Sequence, residues 1–246
     1  MKGWLNPKIE DMQAFLDKTK EICTLYTQAS KLEKEGIHVF SCDEKTGIQA
    51  REHKNPAIPM SEGHIERIDP EYIRHGTSGI IASRSVATGE IVMPMVQPTR
   101  TEDDFAKHIK SVAEIDPNGR FIFVVDNLNT HKSEAMVRLI GDMENIPNDR
   151  LGVKRRSGIL MNLTSREAFL TDNSHRISFV YTPKHCSWIN QIECWFSIIT
   201  RRLLNRRASF TSVLDLEQRI HAFIDYYNLY LKKPFQWNYK GKFLIV

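Results

Sequence analysis

The spacing of apolar residues along the chain predicts several amphipathic helices and several short buried strands. Residues 9, 12, 16, 19, 23 and 26 recur every three or four positions and all but Thr19 are apolar, which is the period of a helix with one buried face. Residues 121–125 instead form an uninterrupted apolar run, which is typical of a strand buried on both faces. The predicted helices cover residues 7–34, 101–113, 132–145, 187–204 and 211–231. The predicted strands cover residues 37–42, 77–86, 90–96, 121–125 and 177–181.

The order of these elements predicts an α/β fold. A strand and a hairpin come first, and strands then alternate with helices, which indicates a mixed sheet with helices on its faces. Residues 52–72 are rich in Pro, Gly, Asn and charged residues and are predicted to form a loop or an extended arm. Residues 146–175 form a polar insertion ahead of the last strand and the helix that follows it. In that helix, Trp188 and Trp195 are predicted to pack in the core.

Composition and charge exclude some classes of protein and suggest a polyanionic partner. The 246 residues are 41% hydrophobic and 26% charged, which excludes a disordered chain, and the apolar runs are too short for a membrane span. The N-terminus lacks the apolar stretch of a signal peptide, so we expect a cytoplasmic protein. The net charge of +4 is unevenly placed, because residues 194–246 hold nine Lys and Arg against three acids. This basic stretch is equally compatible with a nucleic-acid surface and with a solvated helix face.

Three acids occupy positions at which metal ions could bind. Asp43 and Asp126 each follow a predicted strand, and Glu193 lies two turns into the helix that begins at Ser187. Carboxylates beyond the C-terminal ends of sheet strands occupy the usual ligand crevice of an α/β sheet. Three such ligands suit Mg²⁺ or Mn²⁺, and two ions can clamp the attacking and leaving oxygens of a phosphoryl transfer. The alternative is that the two Asp side chains only cap turns after their strands.

Each of the three acids lies within a longer motif. Residues 43–50 match the string DEK-x-GIQA, residues 126–131 match DN-x-x-TH, and residues 182–193 match TP-x-x-x-SW-x-NQ-x-E. These strings resemble the signatures of the insertion-sequence 630 family of transposases, within the Tc/mariner superfamily. Segments 72–77 and 233–237 also resemble that family, so the resemblance extends over nearly the whole chain from about residue 38. Three ordered motifs, each on the expected element, form a specific signal.

The resemblance implies an RNase H-like mixed sheet flanked by helices, with an insertion before the last catalytic helix. It implies that Asp43, Asp126 and Glu193 are the catalytic triad and the ligands of a two-metal Mg²⁺ site in which Mn²⁺ can substitute. The implied reaction is DNA strand cleavage and strand transfer during cut-and-paste transposition of an insertion sequence. The implied partners are the element ends and target DNA, bound by a homodimer. The implied location is the prokaryotic cytoplasm, on the nucleoid and away from membranes.

Several polar and basic residues are candidates for DNA contact. His131 could contact phosphate or shuttle a proton, or it could be structural. Asn190 shares a helix face with Glu193, so it could orient that carboxylate or a metal-bound water, or it could be exposed. Glu44 is expected to point away from the metal site, because neighbours on a strand face opposite sides. The candidate DNA contacts are Arg74, His75, His131, Lys154, Arg155, Arg156, Lys184, Asn190, Arg201 and Arg202.

The chain is expected to divide into three parts. Residues 1–36 form an N-terminal helical arm or linker, and residues 37–210 form the catalytic domain. Residues 211–246 form a C-terminal helix and basic tail packed on that domain. The insertion at about 146–175 either clamps DNA or a partner protomer through its basic run at 154–156, or is a decorated surface loop.

The short N-terminal part raises an alternative function. Only 36 residues precede the first predicted strand, which is too few for the helix-turn-helix modules ahead of the catalytic domain in full-length relatives. The chain is therefore expected to be the catalytic portion alone. The alternative is a truncated, non-catalytic remnant that binds DNA or full-length transposase.

Overall fold

A mixed five-stranded sheet forms the centre of the structure, a computed structural model that describes residue 9, residues 11–184 and residues 186–239. The strands are β1 (Ile37–His53), β2 (Tyr72–Ser85), β3 (Ile91–Gln97), β4 (Arg120–Val125) and β5 (Ile177–Tyr181). They lie in the order β3-β2-β1-β4-β5. Neighbours β1, β2 and β3 pair antiparallel, whereas β4 pairs parallel with both β1 and β5. The predicted mixed sheet is confirmed.

The helices lie before, between and after these strands. They are α1 (Met12–Lys34), α2 (Glu102–Ala113), α3 (Glu134–Met143), α4 (Asn148–Leu151), α5 (Leu163–Leu170), α6 (Gln191–Arg202) and α7 (Val213–Tyr226). Short 3₁₀ segments span Asn129–Lys132, Ile159–Met161 and Ser187–Ile189, and a π-helical turn, Tyr227–Leu231, follows α7. Within the described ranges, no helix is long and apolar enough to cross a membrane.

One face of the sheet packs against α2, α3 and the segment 146–175. Alternation along β4 directs Phe121 and Phe123 to this face, where their rings stack on those of neighbouring strands. The helices contribute buried aliphatic and aromatic side chains that fill the space above these rings. They are Phe105, Ile109, Met136, Ile140, Leu151, Leu160 and Leu170.

The opposite face packs against α1, α6 and α7. Helix α1 buries Ile22 and Tyr26 against Val124 of β4, and α6 and α7 bury Trp195 and Ile220 over β2 and β3. Thus the described parts of α1 and α7 pack on the same sheet as the middle of the chain. The division at residues 36 and 210 stays a prediction.

Strand β1 is much longer than predicted. Its polar residues from Asp43 onward indicated the end of a strand, yet β1 continues to His53. Its pairing with β4 ends at Ser41, and from there the strand pairs with β2 alone. Polar side chains are compatible with this part of the strand because it lies at an edge of the sheet. As a consequence, Asp43 lies within a strand rather than after one.

The predicted polar insertion at 146–175 is folded into the core. It contains α4, α5 and a 3₁₀ turn, and Leu151, Leu160 and Leu170 are fully buried. The expectation of a decorated surface loop is therefore wrong for its apolar positions. Charged residues outnumber these three leucines in the segment, so its average polarity gave no sign that the leucines would be buried.

The long helix predicted from Ser187 is also interrupted. A 3₁₀ turn at Ser187–Ile189 is followed by α6 from Gln191, so the two tryptophans do not share one helical face. Trp195 is fully buried as predicted, but Trp188 is 49% exposed, so its predicted core position is wrong.

The predictions at both ends of the chain lie partly outside the described residues. Helix α1 begins at Met12, where the Asp11 side chain accepts a hydrogen bond from the backbone N–H of Ala14. The earlier start predicted at residue 7 falls in the range that is not described, as do residues 240–246 of the basic tail.

A buried histidine links α2 to the β2–β3 hairpin. His108 is fully buried and contacts the hydroxyl of Ser83 at 2.8 Å and the carbonyl oxygen of Met93 at 3.1 Å. Burial lowers the pKa of His108 to about 4, so the imidazole is neutral in the folded protein.

Candidate active site

Asp43 is held in a buried position between β1 and the start of α6. Its Oδ1 accepts a hydrogen bond from the backbone N–H of Glu44 at 2.8 Å, and its Oδ2 accepts one from Asn190 Nδ2 at 3.2 Å. The same amide nitrogen donates to the carbonyl oxygen of Cys42 at 3.1 Å. Three contacts therefore fix this part of β1 and the orientation of the Asp43 carboxylate.

Asp126 directly follows β4, the parallel neighbour of β1. Its Oδ1 lies 2.8 Å from His131 Nδ1 and accepts a hydrogen bond from the backbone N–H of Leu128 at 3.1 Å. Since β1 and β4 run parallel, Asp43 and Asp126 come to the same end of the sheet. The sequence predicted that each aspartate follows a strand, which holds for Asp126 but not for Asp43, and the catalytic role of both stays a prediction.

Glu193 lies in the first turn of α6, which is anchored to β1. The hydroxyl oxygen of Ser41 accepts a hydrogen bond from the backbone N–H of Ile192 at 2.7 Å and also bonds to Asn190 Oδ1. Asn190 precedes α6 but does not cap it, because its side chain is directed into β1 instead. This arrangement brings Glu193, half-exposed, to the end of the sheet that holds the two aspartates.

The electrostatics of the acids reflect their proximity. Burial, and then the negative charge of Asp126, raise the pKa of Asp43 to about 7. Burial also raises the pKa of Glu193, Asp126 adds to that increase, and Lys45 partly opposes it. Carboxylates that are buried and repel one another in this way favour a bound cation. Their hard oxygen donors fit a divalent ion such as Mg²⁺ or Mn²⁺.

Glu44 belongs to this cluster, so the prediction that it points away is wrong. Strand alternation does place Asp43 on the α6 side and Glu44 on the α2 side. However, His131 lies beyond the end of β4, where no strand separates the two sides, and its Nε2 is 3.4 Å from Glu44 Oε2. Among the described residues, ligand atoms of Asp43, Glu44 and His131 all lie within 4.8 Å of one another.

His131 bridges two carboxylates in the interior. It is fully buried, and its ring lies 4.2 Å from that of Phe105. Burial alone lowers the pKa of His131, but the carboxylates of Asp126 and Glu44 outweigh this effect and raise it to about 10. The ring is therefore a cation whose Nδ1 donates to Asp126 and whose Nε2 faces Glu44 in an ion pair, and it offsets part of the acidic charge.

The residues around these acids match a known family. The model of the DDE superfamily endonucleases matches residues 38–217, which include Asp43, Asp126 and Glu193. The chain belongs to the DDE superfamily endonucleases. No curated protein matches it.

Solved structures with a similar fold support the predicted architecture of this DDE endonuclease domain. The Mos1 mariner paired-end complex with Mn has a TM-score of 0.51 at 12% identity, covering 98% of this chain and 62% of that chain. The catalytic domain of Mos1 mariner transposase has a TM-score of 0.51 at 9% identity, with 97% and 90% covered. A pre-cleavage Mos1 transpososome has a TM-score of 0.51 at 12% identity, covering 98% of this chain and 61% of that chain. These likenesses confirm the predicted RNase H-like fold, which this chain shares with the Mos1 catalytic domain.

The DDE endonuclease domain spans only part of some of these proteins. It covers 62% of the Mos1 chain in the paired-end complex but 90% of the isolated Mos1 catalytic domain. The similarity thus concerns the catalytic fold.

The candidate DNA contacts fall into three groups. His131 and Asn190 are fully buried against protein atoms, so neither is placed to contact DNA. His75 is 2.7 Å from Glu52, and Lys154 lies within 4 Å of two glutamates on α2 and α3, so local carboxylates engage both. Exposed side chains form the remaining group: Arg74, Arg155, Arg156, Lys184, Arg201 and Arg202.

Sequence reasoning missed two buried cations of the DDE endonuclease domain. Arg84 is fully buried on β2, donates to Gln191 Oε1 at 2.9 Å and stacks 3.7 Å from the Phe235 ring centroid. Lys132 is 3% exposed beside the Asp126 loop. Lys132 directly follows His131, the last residue of the DN-x-x-TH motif, so it lies outside the motif and no sequence signal marked it.

Proposed function

We propose that this domain cleaves and joins DNA strands during cut-and-paste transposition of an insertion sequence. Asp43, Asp126 and Glu193 are the proposed triad. The observation that carries the proposal is that acids from three separate motifs converge at one end of the sheet, where burial and mutual repulsion raise the pKa of Asp43 and of Glu193. Membership of the DDE superfamily endonucleases supports phosphodiester chemistry.

The proposed cofactor is Mg²⁺, with Mn²⁺ as a substitute, held as two ions by the three acids. When bound, the ions would supply Lewis-acid activation of the attacking oxygen and stabilise the charge on the leaving oxygen. The oxygen donors of the site support this choice, and one of the similar Mos1 structures is a complex with Mn.

The chain's own residues prepare the site. Asn190 orients the Asp43 carboxylate by donating to Oδ2. His131 holds Asp126 from the other side and keeps a positive charge between Asp126 and Glu44. Glu44 lies close to Asp43 and His131 and so adds a fourth acid beside the triad.

The proposed partners are element-end DNA and target DNA, bound by a homodimer in the nucleoid of a prokaryotic cytoplasm. The exposed arginines at the C-terminal end of α6, Arg201 and Arg202, are suited to sequence-independent phosphate contacts. A paired-end complex of Mos1 supports two-end assembly by analogy. Affinity for DNA is expected to fall steeply as salt concentration rises.

Nicking of supercoiled plasmid in Mg²⁺ or Mn²⁺ tests the triad. The variants Asp43→Asn, Asp126→Asn and Glu193→Gln are each expected to reduce the nicking rate by about 10²-fold or more, since each removes a carboxylate from the charge-stabilising site. Asp142→Asn, an exposed acid on α3, is the control. Circular dichroism checks that every variant folds.

Two results separate this proposal from the alternatives. Wild-type nicking by Asp126→Asn would refute the triad assignment. Retained DNA binding by a wild-type chain that nicks in neither metal would favour the non-catalytic remnant.

A further inference from the structure

Lys132 is a buried cation next to the candidate site. Only 3% of its side chain is exposed, and its Nζ lies 2.7 Å from Glu167 Oε2. The same ammonium group donates to Asn127 Oδ1 and lies 4.4 Å from the centroid of the Tyr181 ring. A buried charge requires such partners, because leaving it unpaired is costly.

The loop that carries Asp126 is closed by two parallel contacts. Asp126 contacts His131, and the next residue, Asn127, contacts Lys132, so each pair spans five positions. The Tyr181 hydroxyl donates to the carbonyl oxygen of His131 at 3.0 Å. Lys132 therefore holds the start of the loop, where the candidate metal ligand lies.

Glu167 reaches this loop from α5, within the segment 146–175. That segment is anchored independently, because Leu160 and Leu170 are buried in the core. The Glu167 side chain is 41% exposed, whereas its partner Lys132 is buried. The ion pair thus connects a well-packed, separate segment to the loop of Asp126.

We propose that Glu167 and Lys132 are positioning residues that fix Asp126 through Asn127. This gives the segment 146–175 a role in the site, and it rests on the proposed function of Asp126 as a metal ligand. Glu167 does not touch the reacting groups. It orients Lys132, Lys132 orients Asn127, and the loop conformation orients Asp126.

The test compares Glu167→Gln with a matched control, Glu90→Gln. Glu90 also forms a 2.7 Å pair with a lysine, Lys232, and its side chain is likewise 41% exposed, but it lies directly before β3. Lys132→Met is the second variant. The measurements are hydrogen–deuterium exchange of the peptide containing residues 126–132, and the Mn²⁺ concentration that gives half-maximal plasmid nicking.

We expect Glu167→Gln to speed exchange of residues 126–132 about tenfold, since a charge-assisted hydrogen bond is lost. Its half-maximal Mn²⁺ concentration should rise about tenfold, the lower end of effects seen for groups that orient metal ligands. The nicking rate at saturating Mn²⁺ should stay close to wild type. Glu90→Gln should change none of these values.

Two outcomes would overturn the inference. One is unchanged exchange of residues 126–132 in Glu167→Gln and in Lys132→Met. The other is faster exchange with an unchanged Mn²⁺ requirement, which would make the pair structural only. A failure of the proposed function is distinguishable, because Asp126→Asn would then nick like wild type while the exchange data still report on the loop.

Discussion

Replacing Asn190 with Leu tests whether this one buried amide holds β1, α6 and Asp43 together. The side chain is fully buried and has three partners: the Ser41 hydroxyl, the carbonyl oxygen of Cys42 at 3.1 Å and Asp43 Oδ2 at 3.2 Å. Leucine has nearly the same size, so the change removes the hydrogen bonds with little change in volume. In the variant, the polar atoms of Ser41, Cys42 and Asp43 would remain buried without the hydrogen bonds that the Asn190 amide provides.

The magnitude follows from the number of bonds. A buried hydrogen bond contributes about 1 kcal/mol, so the loss of three lowers the free energy of unfolding by about 3 kcal/mol. For a chain of this size, that corresponds to a fall in Tm of about 6–12 °C. Loss of the amide donor should also raise the pKa of Asp43 further, because its charged form loses a partner.

Urea unfolding at pH 7 without added metal, followed by tryptophan fluorescence, measures this loss. Asn173→Leu is the control, since Asn173 is exposed and distant from the site. A decrease below about 1 kcal/mol in Asn190→Leu would refute the reasoning, because it would mean that the three contacts contribute less than one ordinary buried hydrogen bond.

Three further predictions concern pH, packing and DNA. The pKa of His108 is lowered to about 4, so its contribution to the free energy of unfolding is complete above pH 6.5 and is lost as the pH falls towards 4. The free energy of unfolding should therefore fall by about 2 kcal/mol between pH 7 and pH 5. Urea unfolding of wild type and His108→Gln at both pH values measures this loss, and an equal pH dependence in the two proteins would contradict it. Leu160→Ala should cost about 2–5 kcal/mol in the same assay because Leu160 is fully buried. Leu163→Ala, at a residue 37% exposed, should cost clearly less, and equal losses would argue against burial of the segment 146–175. The double variant Arg201→Gln/Arg202→Gln should reduce the salt dependence of DNA affinity, measured by fluorescence anisotropy, by a slope of about 2, and an unchanged slope would exclude both from phosphate contact.

The sequence was most informative where local periodicity and motif order coincide. The apolar run of β4 correctly predicted a buried strand, and Asp126 lies directly after the C-terminal end of that strand, as its position in the sequence predicted. Likewise, the apolar spacing along α7 predicted a helix, although the structure ends it at Tyr226 and continues with a π-helical turn. These features depend on residues close in sequence, so local pattern determines them.

Other features depended on pairing between distant segments. The polar half of β1 could not be predicted as a strand, because its strand conformation comes from the hydrogen bonds of β2. In the segment 146–175, three buried leucines decide the packing. Because most residues of the segment are polar, local pattern did not reveal their burial.

By itself, the sequence determined the fold class and the order of the elements, since both are encoded by short periodic runs. It also singled out the three acids through their motifs, and their catalytic role stays a prediction. Only the tertiary structure decided that Glu44 joins the cluster through His131, that Asn190 faces inward, and that Lys132 is paired with Glu167. The physical reason is that a charged or polar side chain in the interior must find a partner, and that partner comes from whichever distant element the fold places beside it.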